Sequence, residues 1–347
     1  MRFRFALGLV FGGAGLALPC PALPADPTSA QLDRAHAAIL ERLDTAKRFL
    51  GADVANDIIV RLGEDVAYAA AEPPPGYGPA DWNETVANVV RLDVELADQI
   101  VAATPQPLGA IRGLHETFVR AHDGTFQPIA VFVPPNYDAS KSHSLIVALH
   151  GRPQSEGELL AQPLLRRLAE ASGSIVVAPW GRGNYDFAEP AGSEVYDAVD
   201  AAESVFTIDR RKVYLVGYSM GGFAVFRVAP LHAERWSGIM SISGAILNSE
   251  MQSYVTRCRN INLYVVNGGE DQSIPPKYGE QTASVLKNAG LAVGFYQEPR
   301  GKHELRTLGR VVGLAWDDML AGRARRGLQD SDGTNGPGPT GGSLHPS

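Results

Sequence analysis

The feature that most constrains the fold is a Gly-x-Ser-x-Gly turn, Gly217-Tyr218-Ser219-Met220-Gly221, placed directly after an apolar run. Residues 212–216 are mostly apolar and rich in β-branched and aromatic side chains, which predicts a buried strand. The apolar segment from Gly221 onward predicts a helix. A serine at such a sharp strand-to-helix turn has a strained backbone, and its neighbours must be small so that strand and helix can approach each other. The pattern therefore predicts a serine hydroxyl that projects above a sheet, near the positive end of a helix.

Short apolar strands alternate with helical stretches on both sides of this turn. The predicted strands are 145–149, 175–178, 213–216, 239–242, 263–266 and 293–296, and the predicted helices lie near 157–171, 192–206, 219–230, 278–289 and 303–325. Two further apolar segments, 116–119 and 127–133, flank Asp123-Gly124 and predict a hairpin. This alternation predicts an α/β fold with a mostly parallel sheet that is covered by helices on both faces.

The sequence divides into four segments. Residues 26–110 predict a small helical region of two to three helices, in which two amphipathic stretches are separated by the proline-rich run at 73–79. The α/β domain is assigned to residues 111–326. Residues 327–347 are rich in Gly, Pro and Ser and predict a disordered tail.

The first 25 residues have the pattern of a secretory signal peptide. Arg2 and Arg4 precede an apolar stretch, Phe5 to Leu18, that is too short to span a bilayer. We expect the mature chain to begin at Asp26 and to be secreted or periplasmic. Lipidation of Cys20 is disfavoured because no small residue stands immediately before it. Cleavage would leave Cys258 as the sole cysteine, without a disulfide partner.

Charge and composition argue against several classes of partner and cofactor. The formal net charge is −7, which argues against binding to nucleic acid or to anionic membranes. No second apolar run is long enough for a membrane span, so no membrane association is expected after removal of the signal. No His, Cys and Asp residues have the spacing of metal ligands, and neither a metal nor an organic cofactor is predicted.

Two later segments carry the residues that a serine nucleophile needs. A serine hydroxyl requires an adjacent base, and the base requires an acid that orients it. Asp271 follows the strand at 263–266, and His303 follows the strand at 293–296, which places both at carboxyl ends of strands. We therefore predict a catalytic Ser219, Asp271 and His303, with Glu270 as the alternative acid. A solvated loop carboxylate and a surface histidine are the non-catalytic interpretations.

Four motifs resemble the α/β-hydrolase pattern over residues 115–325. They are Leu149-His150-Gly151, the turn at 217–222, Gly268 to Pro275, and Gly301-Lys302-His303. The chain is most similar to secreted esterases of the carboxylesterase, dienelactone-hydrolase-like and polyhydroxybutyrate-depolymerase-like branches. The resemblance implies an oxyanion hole formed by the backbone N–H groups of Met220 and Arg152.

The implied activity is hydrolysis of a carboxylic ester, small or polymeric, through an acyl-enzyme on Ser219. Serine at the turn argues against a dehalogenase and against a dienelactone hydrolase proper. Trp180 and Tyr218 are assigned to substrate binding, although an ordinary packed loop explains the Trp180 segment equally well. A peptidase of the prolyl-oligopeptidase type, a polyester depolymerase and a non-catalytic binding module remain as alternatives.

Overall fold

An eight-stranded sheet forms the centre of the protein, whose computed structural model describes residues 29–74 and 77–324. The strands are β1 (Gly113–Arg120), β2 (Phe126–Val133), β3 (His143–Leu149), β4 (Ile175–Pro179), β5 (Ile208–Tyr218), β6 (Gly238–Ile242), β7 (Asn262–Gly268) and β8 (Val293–Glu298), in the order β1-β2-β4-β3-β5-β6-β7-β8. The β1–β2 and β2–β4 pairs are antiparallel and the other pairs are parallel. The predicted hairpin is β1–β2. The predicted signal segment, Cys20 and the tail at 327–347 lie outside the described residues.

Helices cover both faces of the sheet, as the apolar strands predict. The helices are α1 (Ser29–Glu41), α2 (Leu43–Leu50), α3 (Ala52–Ala69), α4 (Pro79–Ala102), α5 (Glu156–Ala161), α6 (Pro163–Ser172), α7 (Ala191–Val205), α8 (Met220–Val228), α9 (Asn248–Arg257), α10 (Lys277–Asn288) and α11 (Gly309–Leu320). Helices α7 to α10 pack on one face and α5, α6 and α11 pack on the other. Alternate residues of β3 belong to the two opposite apolar clusters, which explains its continuous apolar sequence. The α/β prediction is confirmed.

Three helices differ from the sequence prediction. The helix predicted at 157–171 is two helices, because Pro163 lacks an N–H group and the preceding Gln162 is extended, with ψ 136°. The helix predicted from 303 begins only at Gly309, after a short 3₁₀ turn at 305–308. Helix α9 was not predicted. It buries only Glu250 and Tyr254, so its sequence lacks an apolar stripe.

The helical region before β1 contains four helices in its described part, where the sequence predicts two to three. Gly51 separates α2 from α3 with a φ of +92°, a conformation that glycine adopts readily. The four helices share an apolar cluster of their own, which also includes Phe118 of β1 and Trp180. The helical region is therefore packed directly against the antiparallel edge of the sheet.

A buried ionic cluster joins these helices to the sheet. Arg61 of α3 donates hydrogen bonds to Glu156 at the start of α5 (2.7 Å), Asp93 of α4 (3.0 Å) and Glu116 of β1 (2.8 Å). Asp65 lies 3.6 Å from the same guanidinium. All five residues are buried. We call them the Arg61 cluster.

The Arg61 cluster contains four carboxyl groups and one cation. Burial raises the pKa of Asp65, Asp93 and Glu156, although Arg61 acts in the opposite direction. One oxygen of each of these three acids has no hydrogen-bond partner within the described residues, so the guanidinium does not satisfy all of the carboxylate oxygens. Protons therefore supply part of the charge compensation that the single guanidinium does not provide.

This arrangement makes stability depend on pH in a defined direction. The pKa values of these acids are higher in the folded than in the unfolded protein, where they are about 4. The folded state therefore binds more protons, and the free energy of unfolding falls as pH rises from about 4 toward the raised pKa values. Each such proton contributes a slope of about 1.4 kcal/mol per pH unit between the two pKa values.

Asp93→Asn removes one titrating acid and leaves an oxygen that can accept from Arg61. We expect a smaller loss of stability between pH 5 and pH 8 for this variant than for the wild type, measured by urea unfolding. The control is Glu72→Gln, since Glu72 is exposed. Equal pH slopes for wild type and Asp93→Asn would show that Asp93 does not retain its proton in the folded state.

Candidate functional site

Ser219 occupies a strained position between β5 and α8. Its φ of +52° and ψ of −113° are unusual for a residue with a side chain. The Ser219 N–H donates to the carbonyl of Ile242 at the end of β6 (2.9 Å), which holds the turn against the neighbouring strand. The side chain is therefore presented at the carboxyl end of the parallel strands.

Two glycines make this turn sterically feasible. A Cβ atom on Gly217 would lie 2.0 Å from the carbonyl oxygen of Gly221. A Cβ atom on Gly221 would lie 2.2 Å from the carbonyl oxygen of Leu149, the last residue of β3. Since atoms cannot approach this closely, only glycine fits at either position. The close approach brings β3, β5 and α8 into backbone contact directly beneath Ser219.

Ser219, His303 and Asp271 form a continuous hydrogen-bonded chain. The Ser219 Oγ is 2.8 Å from His303 Nε2, and His303 Nδ1 is 2.8 Å from Asp271 Oδ2. His303 is partly exposed and the Asp271 side chain is fully buried. Because Asp271 accepts at Nδ1, the His303 tautomer that it favours leaves Nε2 free to accept the proton of Ser219.

The two oxygens of Asp271 have separate roles. While Oδ2 contacts His303, Oδ1 accepts hydrogen bonds from the backbone N–H groups of Ser273 (2.9 Å) and Ile274 (2.8 Å). These bonds fix the carboxylate and stabilise its charge in a buried position. Glu270, the alternative acid, is exposed, and the carboxylate in contact with His303 is that of Asp271.

The loop after β3 lies directly beside the serine. A Cβ atom on Gly151 would lie 3.1 Å from the Cβ of Ser219. The Gly221 N–H donates to the carbonyl of His150 (2.9 Å), which ties this loop to the start of α8. No hydrogen bond is assigned within the described part of the chain to the N–H of Met220 or of Arg152. Their role as donors to an oxyanion stays a prediction.

His150 supports this loop from beneath. Its ring is fully buried, with Nδ1 2.9 Å from the Gly151 carbonyl and Nε2 2.8 Å from the Trp180 carbonyl. Burial lowers the pKa of His150, so the ring is neutral at neutral pH and one ring nitrogen donates. The Arg152 side chain donates to the Asn184 carbonyl (2.6 Å) and to Asp186 (2.8 Å). The loops after β3 and β4 are thus connected at two points.

The structure gives Tyr218 and Trp180 distinct surroundings. The Tyr218 hydroxyl donates to the backbone carbonyl of His303 (2.8 Å), and the two rings lie 5.4 Å apart between centroids. Trp180 is only 3% exposed and packs in the apolar cluster of the N-terminal helices. Substrate binding by either residue stays a prediction. The contact of Tyr218 with His303 was not foreseen, because 85 residues separate them.

Known proteins resemble this arrangement at the level of the fold. The structure matches a fluorophosphonate-binding serine hydrolase of Staphylococcus aureus with a TM-score of 0.53 at 14% identity, covering 60% of this chain and 98% of that one. A ferulic acid esterase gives a TM-score of 0.51 at 15% identity, with the same coverage of 60% and 98%. Together with the sheet order, these matches show that the chain has the α/β-hydrolase fold.

Sequence comparison finds both esterases and peptidases among the proteins similar to this chain. The family of phospholipases and carboxylesterases matches residues 191–307. "Probable feruloyl esterase C" of Aspergillus flavus is 32% identical over 124 residues, 33% of this chain and 46% of that protein. Dipeptidyl-peptidase 5 of Porphyromonas gingivalis is 28% identical over 152 residues, 40% of this chain and 22% of that protein. The chain thus spans less than half the length of either relative.

Tyr218→Phe tests whether the tyrosine hydroxyl positions His303. Loss of one hydrogen bond of this kind costs about 0.5–1.5 kcal/mol, so we expect Ser219 to react about 2- to 10-fold more slowly with a fluorophosphonate. The labelling rate is compared with that of Tyr278→Phe, which removes the hydroxyl of an exposed tyrosine. An unchanged rate in Tyr218→Phe would mean that other contacts hold His303 in place.

Proposed function

We propose that the protein hydrolyses carboxylic esters with Ser219 as the nucleophile. The observation that carries the proposal is the unbroken chain from Ser219 Oγ through His303 to Asp271, with 2.8 Å at each junction. These distances are within hydrogen-bond reach, as required for proton transfer from the serine to the histidine.

The reaction follows from the positions of these groups. As Ser219 Oγ forms a bond to the ester carbonyl carbon, its proton passes to His303 Nε2. As the carbonyl oxygen becomes negatively charged, it accepts hydrogen bonds from the N–H groups of Met220 and Arg152. The carbon–oxygen bond to the alcohol then breaks, and His303 returns the proton to that alcohol. Water attacks the resulting acyl-serine by the same route, which releases the acid and restores Ser219.

Similarity to esterases supports an ester as the substrate. The relatives include the feruloyl esterase already described and a bifunctional acetylxylan esterase/xylanase of Neocallimastix patriciarum, which is 24% identical over 173 residues, 49% of this chain and 24% of that protein. We infer that the substrate is a carboxylic ester, either a small molecule or part of a polymer.

A serine peptidase is the second candidate, because dipeptidyl-peptidase 5 is among the relatives. Peptidases of the prolyl-oligopeptidase type usually carry a β-propeller. The described residues before β1 instead form four helices and a short 3₁₀ turn. The family match to phospholipases and carboxylesterases over residues 191–307 favours the esterase.

We also propose that the protein is exported. The two arginines and the apolar stretch at the N-terminus support a signal peptide. Among the residues with described positions, no helix is both long and apolar enough to cross a bilayer.

Ser219→Ala tests the nucleophile. We expect ester hydrolysis to fall by more than about 10³-fold, since residues of such a triad act as a unit. Labelling with a fluorophosphonate should also disappear, as seen by intact-protein mass spectrometry. Ser140→Ala, in an exposed loop before β3, provides the control and should keep both activities. Labelling that persists in Ser219→Ala would show that another residue is the nucleophile, and absence of labelling from the wild type would favour a binding module; either result would contradict the proposal.

The choice of substrate separates the esterase from the peptidase. We expect turnover of p-nitrophenyl acetate and of longer acyl esters, with no cleavage of dipeptidyl p-nitroanilides. The reason is the similarity of this chain to feruloyl and acetylxylan esterases. Cleavage of the anilides with kcat/KM comparable to that of the esters would instead identify a peptidase.

A further inference from the structure

A cavity lies between the N-terminal helices and the loops that surround the serine. Its volume is about 300 Å³. One wall is the surface of α3 that carries Asp57, Val60 and Glu64, and the opposite walls are residues 153–155 after β3 and residues 180–185 after β4. Small-molecule sites commonly have volumes of about 300–1,000 Å³, so this cavity is large enough for one ring with a substituent.

The cavity adjoins the reaction centre proposed above. Pro153, which lines it, is two residues from Gly151, so their Cα atoms are at most about 7.6 Å apart. Gly151 in turn is in contact distance of Ser219. Asn184 on the other wall accepts a hydrogen bond through its carbonyl from the side chain of Arg152. A ring bound in the cavity is therefore close enough to be part of the same ester molecule whose carbonyl lies at Ser219.

The Arg61 cluster fixes the α3 wall relative to these loops. Arg61 itself lines the cavity, and it binds Glu156 at 2.7 Å. Glu156 directly follows Ser155, another lining residue, and begins α5. Because the ion pair is buried and is shared with residues of α4 and β1, α3 is held in one position against the loop after β3. The position of the α3 wall is therefore fixed by the fold.

The lining favours a ring with apolar faces and a neutral polar edge. Val60 on α3 and Tyr185 on the opposite loop both line the cavity. Their apolar side chains are unusually exposed, at 60% and 66%, so each presents apolar surface there. The carboxylates of Asp57 and Glu64 disfavour an anionic ligand. The Arg182 guanidinium acts on Asp57, but it also pairs with Glu194 (2.6 Å) and Asp123 (2.7 Å), so it offsets the two cavity carboxylates only in part.

We propose that helix α3 completes a substrate subsite that binds an aromatic ring bearing an uncharged polar substituent, in one half of the ester whose carbonyl lies at Ser219. This inference rests on the proposed function. It assigns a role in specificity to the N-terminal helices, which lie outside residues 191–307, the part that matches the carboxylesterase family. Val60 and Tyr185 are the specificity-determining residues, since they present apolar surface from opposite walls.

The test compares full-length variants on three esters. Methyl 4-hydroxycinnamate carries the ring in its acyl half, 4-methoxybenzyl acetate carries it in its alcohol half, and ethyl acetate has no ring. Val60→Asp and Tyr185→Ala are matched by Leu40→Asp and Tyr278→Ala, whose side chains are 49% and 44% exposed and do not line the cavity. Thermal unfolding is measured for each variant to check that it folds. We expect all four to fold, because the substituted positions are partly exposed.

We expect Val60→Asp and Tyr185→Ala to lower kcat/KM for one of the ring esters, relative to ethyl acetate, by about 10-fold, mainly through KM. The ester that responds identifies the half that occupies the cavity. The two control variants should keep the wild-type ratios for both ring esters. Unchanged ratios in Val60→Asp and Tyr185→Ala would overturn the subsite while leaving the esterase intact. If the wild type hydrolyses neither these three esters nor p-nitrophenyl acetate, the proposed function itself fails and the subsite fails with it.

Discussion

Backbone contact beneath Ser219 is the constraint on which the arrangement of the site depends. Gly217 and Gly221 allow the end of β5, the start of α8 and the end of β3 to meet without side chains between them. This contact imposes the strained conformation of Ser219 and places the loop after β3 against it. The strain is maintained because the surrounding parallel strands and the buried apolar clusters on both faces of the sheet hold the turn from all sides.

The Arg61 cluster has a comparable role for the N-terminal helices. It connects α3 and α4 with β1 and α5, so these helices are held by buried polar contacts in addition to their apolar cluster. The net contribution of such a group to stability is smaller than its Coulombic attraction, since the desolvation of its members offsets much of that attraction. Its position beside the loop after β3 connects a region without catalytic motifs to the surroundings of Ser219.

Local sequence patterns predicted most of the sheet, for an identifiable reason. Strands buried on both faces must be apolar throughout, so their positions are visible in the sequence at β3, β4, β6 and β7. Helix α9 was missed because it buries little apolar surface, and the break between α5 and α6 was missed although Pro163 indicates it. Prediction therefore succeeded where burial is complete and was weaker where an element lies at the surface.

The sequence by itself determined the strand-to-helix turn at Ser219 and the order in which Asp271 and His303 follow it. These features are local, since each depends on residue types next to a strand end. Only the tertiary structure decided that the Tyr218 hydroxyl holds the His303 carbonyl, that Arg61 gathers four acids, and that α3 forms a cavity wall near Ser219. Arg61 and Glu156 are 95 residues apart in the chain, and no local pattern specifies such a pairing. It arises from the packing of helices against the sheet edge, where burial leaves these charged groups only one another as partners.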